Sequence, residues 1–183
     1  MKNELIILVD EDDNEIGLQD KLSVHQEGLL HRAFSVFIFN SNGELLLQQR
    51  ADEKYHSGGL WSNTCCSHPN STENIMDTVS RRLHEEMGIG SDTQFKFKFI
   101  YFADFENGLK EYEMDYVFFG KSDEAPKPDP SEVQNWKHVS LDTLNEEIRY
   151  NPGNYSAWLK LCLPQVVRHY KQNINPLYEN LLF

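Results

Sequence analysis

Apolar runs separated by turn residues predict several β-strands along this chain. Residues 33–39 are mostly apolar and rich in Phe, Val and Ile, and residues 44–50 form a second run. The pair Asn42-Gly43 lies between the two runs, and this arrangement predicts a β-hairpin. Further strands are predicted at residues 5–9, 95–105, 112–120 and 133–139.

Elsewhere the apolar positions recur at helical spacing. Ile75, Met76, Val79, Leu83 and Met87 form the clearest set. They predict an amphipathic helix over residues 73–87, with Ser71 or Thr72 as the N-cap and Gly88 after its end. Two more helices are predicted at residues 141–148 and 156–170. Because strands and helices mix without regular βαβ alternation, we expect an α+β fold with a mixed sheet.

Composition narrows the class of protein. The 183 residues carry a formal net charge of −12, which argues against nucleic-acid binding because that needs clustered positive charge. No apolar run approaches the roughly 18 residues that would span a membrane, and the first residues lack the pattern of a signal peptide. The cysteines Cys65, Cys66 and Cys162 are odd in number and two are adjacent, so we expect free thiols and a cytoplasmic location.

Five polar side chains are hard to explain by packing alone. His25 and His31 precede the first predicted hairpin, and His68 follows a pair of cysteines. Glu111 and Glu113 lie in a predicted strand, where a period of two directs both carboxylates to one face. Such a set of nitrogen and oxygen donors suits Zn²⁺ or Mn²⁺ better than Ca²⁺. For each residue alone, a packed core histidine or a solvated strand face remains the alternative.

The helix at residues 73–87 carries a more specific motif. From Ser67 onward the spacing resembles the Nudix box, G-x5-E-x7-R-E-U-x-E-E-x-G-U, where U is an apolar residue. The matching positions are Glu73, Arg81, Leu83, Glu85, Glu86, Gly88 and Ile89. Two positions depart from the box, because Ser67 replaces its first glycine and Arg82 replaces an acid.

The carboxylates of such a box hold Mg²⁺ against the oxygens of a diphosphate. Arg82 removes one acid and would instead bind diphosphate directly through forked hydrogen bonds. The alternative explanation is a charged helix stabilised by ion pairs between residues four apart.

Together with the other segments, the degenerate box makes the chain resemble the type I isopentenyl diphosphate isomerases. The resemblance rests on Lys21, His25, residues 30–37, Gln49-Arg50, Lys54, residues 61–69, residues 111–113 and residues 155–158. It implies a Nudix fold, in which a mixed β-sheet is layered between α-helices. It also implies one Nudix-type domain over residues 1–183, with short N-terminal and C-terminal extensions to the core.

The resemblance further implies a role for each unusual polar residue. The ligands of one divalent ion, Zn²⁺ or Mn²⁺ with Mg²⁺ also accommodated, would be His25, His31, His68, Glu111 and Glu113. Glu86 would hold a second ion, Mg²⁺, in contact with the substrate diphosphate. The diphosphate itself would be bound by Lys21, Arg50, Lys54 and Arg82. The catalytic residues would be Cys66, Glu113 and Tyr101, and Trp158 would line the hydrocarbon pocket.

The implied reaction interconverts isopentenyl and dimethylallyl diphosphate in isoprenoid biosynthesis. Cys66 and Glu113 would protonate the alkene and deprotonate a tertiary carbocation from opposite sides. We expect a small-molecule substrate, no nucleic-acid or membrane partner, and a monomer or weak homodimer. Two alternatives are a Nudix hydrolase of a nucleoside diphosphate derivative, which Arg82 disfavours, and a non-catalytic domain that binds no metal tightly.

Overall fold

The computed structural model describes residues 5–69, 71–105 and 107–174. The strands are β1 Leu5–Val9, β2 Glu15–Asp20, β3 His31–Phe39, β4 Leu45–Arg50, β5 Trp61–Ser62, β6 Cys65–Ser67, β7 Gln94–Asp104, β8 Lys110–Lys121 and β9 Val133–Val139. The helices are α1 Lys21–Glu27, α2 Ile75–Met87, α3 Leu141–Tyr150 and α4 Ala157–Ile174, with a 3₁₀ turn at Pro152–Asn154. Among these residues, no helix is long and apolar enough to cross a membrane.

Strand β3 lies at the centre of one mixed sheet. It pairs in parallel with β8 and antiparallel with β1, β4 and β6. Strand β7 extends the sheet beyond β8, β2 pairs with β1, and β5 and β9 both pair with β4. The parallel register places His31 of β3 opposite Glu113 of β8. The long strands and the hairpin around Asn42-Gly43 confirm the strands predicted from the apolar runs.

Both faces of the sheet are covered by helices. Along β3, Phe37 belongs to a core cluster that includes Leu144 of α3 and Leu159 of α4. The alternate residue Val36 belongs to a second cluster that includes Leu83 of α2. This alternation of side chains between two buried faces is the expected behaviour of a central strand. It confirms the predicted α+β architecture of a mixed sheet layered between helices.

The ends of two helices differ from the sequence prediction or add to it. Helix α2 begins at Ile75, and its N-cap is Asn74, whose side chain accepts from the backbone N–H of Met76 at 2.8 Å. The prediction of Ser71 or Thr72 as the cap was therefore wrong, because any of several polar residues in a turn can serve as a cap. Helix α1 was not predicted, since its seven residues are too few for a helical period to stand out.

Candidate active site

Five buried donors converge where α1, β3, β6 and β8 meet. His25 lies in the last turn of α1, His31 opens β3, and His68 follows β6. Glu111 and Glu113 lie on one face of β8, as the period of two predicted. One donor atom from each of these residues lies within 4.8 Å of every other, and all five residues are buried. The five predicted ligands are therefore close enough to share one cation.

Backbone hydrogen bonds direct the lone pairs of two imidazoles into this cluster. The Nδ1 atom of His25 is 2.6 Å from the carbonyl oxygen of Lys21, and that of His31 is 2.8 Å from the carbonyl oxygen of Leu29. A carbonyl only accepts, so each Nδ1 carries the proton and each Nε2 presents a lone pair. This arrangement is typical of histidines that bind metals.

The atoms facing the cluster lack partners that would satisfy them. Nε2 of His25 and Oε2 of Glu111 are buried and make no hydrogen bond among the described residues. Nε2 of His31 faces Nε2 of His68 at 3.2 Å. Buried polar atoms without partners are costly, and a divalent cation would satisfy all of them together. The donor set therefore fits the metal ion that the sequence predicted.

The protonation states of two of the five ligands also favour a cation. Burial lowers the pKa of His68 well below its usual value, so this imidazole is neutral. Burial alone would raise the pKa of Glu111, but the imidazoles of His25 and His56, which face its two oxygens, hold it well below its usual range. Metal ligands must be deprotonated, and both residues meet that condition.

The other two predicted catalytic residues, Tyr101 and Cys66, line the same cleft as Glu113. The hydroxyl of Tyr101 donates to Oε2 of Glu113 at 2.6 Å, and the two residues are cross-strand partners on β7 and β8. Cys66 is half-buried, and desolvation of its thiol raises the pKa to about 12. The thiol is therefore protonated at neutral pH. A guanidinium nitrogen of Arg50 lies 3.8 Å from its sulfur.

Trp158 forms a buried aromatic wall near the thiol. Its indole N–H donates to Oδ1 of Asn63 at 3.0 Å, which fixes the ring. Asn63 is itself held by the carbonyl oxygens of Val36 and Cys65. The guanidinium of Arg50 lies over the indole, 5.2 Å from its centroid. The face of the Trp158 indole therefore already contacts a positively charged group, the guanidinium of Arg50.

Two of the predicted diphosphate-binding cations, Lys54 and Arg82, form an ion-pair network with the carboxylates of Glu86 and Glu132. Arg82 donates to Oε1 of Glu86 at 2.7 Å and reaches Glu132 at 3.5 Å. Lys54 pairs with the other oxygen of Glu132. Gln48 donates to Oε2 of Glu86 at 3.1 Å, and burial raises the pKa of Glu86. Ion pairs between residues four apart on this helix were the alternative to a Nudix box. The Arg82–Glu86 pair exists, and both residues also line the cleft.

These groups share one cleft, and the predicted residues His25 and His31 are buried and do not line it. The predicted residues that line the cleft are Lys21, Arg50, Lys54, Cys66, His68, Arg82, Glu86, Tyr101, Glu111, Glu113 and Trp158. His56 and Glu132 also line it and were not predicted. His56 follows Lys54 closely in a short loop of turn residues, and that position is the one sequence signal that could have found it. Nothing in the sequence around Glu132 distinguishes it from other surface acids.

Comparison with known proteins first defines the class. The model of the NUDIX domain matches residues 29–159. The solved structure of DR0079 from Deinococcus radiodurans has a TM-score of 0.71 at 20% identity, covering 91% of this chain and 99% of that chain. The MutT protein from Methanosarcina mazei has a TM-score of 0.64 at 18% identity, covering 80% of this chain and 96% of that chain. At such identities these structures show the fold alone, and the chain is a Nudix-domain protein.

Closer relatives identify the family within that class. Isopentenyl-diphosphate Delta-isomerase 2 of Aromatoleum aromaticum is 50% identical over 162 residues, which is 88% of this chain and 86% of the relative. Isopentenyl-diphosphate Delta-isomerase 1 of the same organism is 51% identical, over 88% of this chain and 92% of the relative. The enzyme of that name from Pectobacterium atrosepticum is 44% identical, over 88% and 90%. The chain therefore belongs to the type I isopentenyl-diphosphate isomerase family of the Nudix superfamily.

Proposed function

We propose that this chain interconverts isopentenyl diphosphate and dimethylallyl diphosphate by protonation and deprotonation through a tertiary carbocation. The observation that carries this proposal is the cleft itself. It joins a protonated thiol, Cys66, and a carboxylate, Glu113, to a buried aromatic wall and a cluster of cations. A five-carbon diphosphate has the matching parts, a small alkene and a strongly anionic group.

The two ions of this proposal would be held by separate residues. His25, His31, His68, Glu111 and Glu113 would bind Zn²⁺ or Mn²⁺, with Mg²⁺ also suited to the donors. Glu86 would bind Mg²⁺ together with the diphosphate. When bound, these ions supply positive charge that orients the Glu113 carboxylate and offsets the charge of the diphosphate.

Proton transfer is the task of Cys66 and Glu113. One of the pair adds a proton to the terminal CH₂, which places the positive charge on the tertiary carbon. The other removes a proton from C2, and the electrons of that C–H bond form the new double bond. Tyr101 donates a hydrogen bond to Glu113 and would relay a proton to or from it. General acid–base catalysis by positioned groups typically contributes about 10²- to 10⁴-fold in rate.

The remaining residues bind and shield the substrate. Trp158 is buried, and its indole face would stabilise the carbocation through the ring quadrupole by about 2 kcal/mol when desolvated. Lys21, Arg50, Lys54 and Arg82 line the cleft and would bind the diphosphate. Arg82 would do so by exchanging its carboxylate partners for phosphate oxygens.

The three cysteines are free, which favours a reducing compartment such as the cytoplasm. We propose that residues 1–183 act as one domain, in a monomer or weak homodimer, without nucleic-acid or membrane partners.

The test is incubation of the purified protein with isopentenyl diphosphate and Mg²⁺. We expect dimethylallyl diphosphate to form and, in D₂O, deuterium to enter the substrate. Steady phosphate release from a panel of nucleotides, with no isomerisation, would replace the proposal with a Nudix hydrolase. Absence of both activities and of any tightly bound divalent ion would instead indicate a non-catalytic domain.

A further inference from the structure

His56 is buried against the five-donor cluster, although no sequence motif pointed to it. Only 7% of the residue is exposed. Its Nε2 atom lies 2.7 Å from Oε1 of Glu111, which is one of the closest polar contacts in the cleft. The opposite oxygen of Glu111, Oε2, faces Nε2 of His25 at 3.4 Å. The two oxygens of one carboxylate therefore face different imidazoles.

The hydrogen-bond chemistry fixes the tautomer of this imidazole. A deprotonated carboxylate only accepts, so Nε2 of His56 carries the proton and donates to Glu111. Nδ1 of His56 lies 3.2 Å from the hydroxyl of Ser57 and accepts from it. His56 thus differs from His25 and His31, whose Nε2 lone pairs face the cluster. It is a donor to the cluster rather than one of its ligands.

The loop that carries His56 is held on both sides. The carbonyl oxygen of His56 accepts from Arg50 at 3.3 Å. Its ring stacks on Phe105 with centroids 4.8 Å apart and an interplanar angle of 14°, and meets Trp158 edge-on at 5.9 Å. At Gly58 a Cβ would come within 2.4 Å of the carbonyl oxygen of Asp52, so the loop approaches its own backbone too closely for any other residue. Such a restrained loop can hold an imidazole at a defined angle.

We propose that His56 is a positioning residue for the metal centre. By holding Oε1 of Glu111, its Nε2–H turns Oε2 toward His25 and His31. This role rests on the proposed metal-dependent function and deepens it, because it explains what orients a ligand that strand β8 alone would leave free to rotate. Loss of such an outer hydrogen bond typically lowers metal affinity about 10- to 100-fold.

Two substitutions separate the hydrogen bond from ring packing. His56→Phe keeps the stacked ring and removes the donor, whereas His56→Gln places an amide N–H near the position of Nε2 and removes the ring. His84→Phe, at an exposed histidine of α2, is the matched control. The metal-free proteins are titrated with Zn²⁺ against a chelator of known affinity, and kcat and KM are measured separately with Mg²⁺ present.

We expect His56→Phe to bind Zn²⁺ about 10- to 100-fold more weakly than the unaltered protein. The value of kcat should fall, and its fold-change should exceed that of KM. His56→Gln should retain most of the affinity, and His84→Phe all of it. Unchanged affinity in His56→Phe would overturn the proposal, as would a defect confined to His56→Gln, since that pattern indicates ring packing.

Two further results keep the test decisive. If His56→Phe does not fold, His56→Asn replaces it, because its shorter amide reaches the position of Nδ1 and not that of Nε2; equal affinity in the Asn and Gln variants would then overturn the proposal. If the unaltered protein itself binds no Zn²⁺, the metal centre of the proposed function fails and the role of His56 fails with it. Tight Zn²⁺ binding that does not change when His56 is substituted would overturn the role of His56 and leave the proposed metal centre in place.

Discussion

The two ends of the cleft are built differently. The imidazole end consists of His25, His31, His68, Glu111 and Glu113, whose donors converge and include buried atoms without partners. The cationic end consists of Arg50, Lys54 and Arg82 with Glu86 and Glu132, and its carboxylates pair with Lys54 and Arg82. The side chains of Lys54 and Arg82 are 23% and 22% exposed.

This difference indicates two kinds of ligand. Buried lone pairs without partners are costly, so the imidazole end is suited to an ion that stays bound. At the cationic end, carboxylates hold the cations in place, and in the proposed mechanism phosphate oxygens replace them. Because partly exposed ion pairs such as Lys54–Glu132 are worth little individually, exchanging that pair for phosphate contacts costs little. The imidazole end is therefore suited to a resident cofactor, and the cationic end to a substrate that enters and leaves.

The largest effect should come from the residue that lies between the ends. Cys66→Ala removes a thiol that contacts Arg50 and, in the proposed mechanism, one of the two proton-handling groups. We expect isomerisation to fall about 10²- to 10⁴-fold or below detection, with the fold intact. Deuterium incorporation into the substrate in D₂O measures the effect, and Glu113→Gln should behave alike.

The adjacent cysteine provides the matched control for this prediction. Cys65 is fully buried in the core cluster beneath α2, so Cys65→Ala should cost some stability and leave exchange nearly unchanged. Exchange at the normal rate in Cys66→Ala would reject the role of this thiol. An equal loss in both variants would point to damaged packing instead.

A smaller effect, confined to one end, is expected from Arg82. In the proposed mechanism, Arg82→Gln removes a charge-assisted contact to the diphosphate, worth about 1.5–3 kcal/mol. We therefore expect KM to rise by roughly 10- to 100-fold with little change in kcat. Zn²⁺ affinity should not change, because Arg82 makes its ion pairs with Glu85, Glu86 and Glu132.

Steady-state kinetics and a Zn²⁺ titration together test whether Arg82 affects substrate binding without affecting the metal centre. If kcat falls as much as kcat/KM, then Arg82 acts mainly in the transition state. If Zn²⁺ binding also weakens, the two ends are coupled and the contrast between them does not hold.

Each end contains a pair of residues that the local sequence pattern predicted. The box spacing identified Arg82 and Glu86 because both lie on one helix, where residues four apart share a face. The period of two likewise predicted that Glu111 and Glu113 share a face of β8. Local periodicity carries this information, so no knowledge of the fold was needed.

Contacts between distant segments were beyond the sequence pattern. The convergence of His31 with Glu113 depends on the parallel register of β3 and β8, which no local period encodes. The contact between His56 and Glu111 depends on a loop folded back over the sheet. Glu132 pairs with Lys54 and Arg82 only because β9 lies beside β4. The resemblance to a family predicted the first of these contacts and missed the other two.

The smallest effect is expected on the outer face of helix α2, away from both ends of the cleft. Arg81 binds Glu73 through two hydrogen bonds of 3.0 and 2.8 Å and also pairs with Glu85. The side chain of Arg81 is 41% exposed, and exposed ion pairs contribute about 0.2–1 kcal/mol each. Arg81→Gln should therefore lower the free energy of unfolding slightly at pH 7 and leave KM unchanged, although Arg81 is adjacent to Arg82.

The pH dependence of that stability difference tests the cause. The hydrogen bonds from Arg81 lower the pKa of Glu73 below its ordinary value of 4.5. A carboxyl whose pKa is lower in the folded state stabilises the protein above its ordinary pKa, and this contribution is lost as the pH falls through the folded value. Denaturant unfolding of both proteins should therefore show a gap at pH 7 that closes in acid. A gap that persists in acid, or a KM that rises as it does for Arg82→Gln, would mean that the outer face of α2 also belongs to the cationic end.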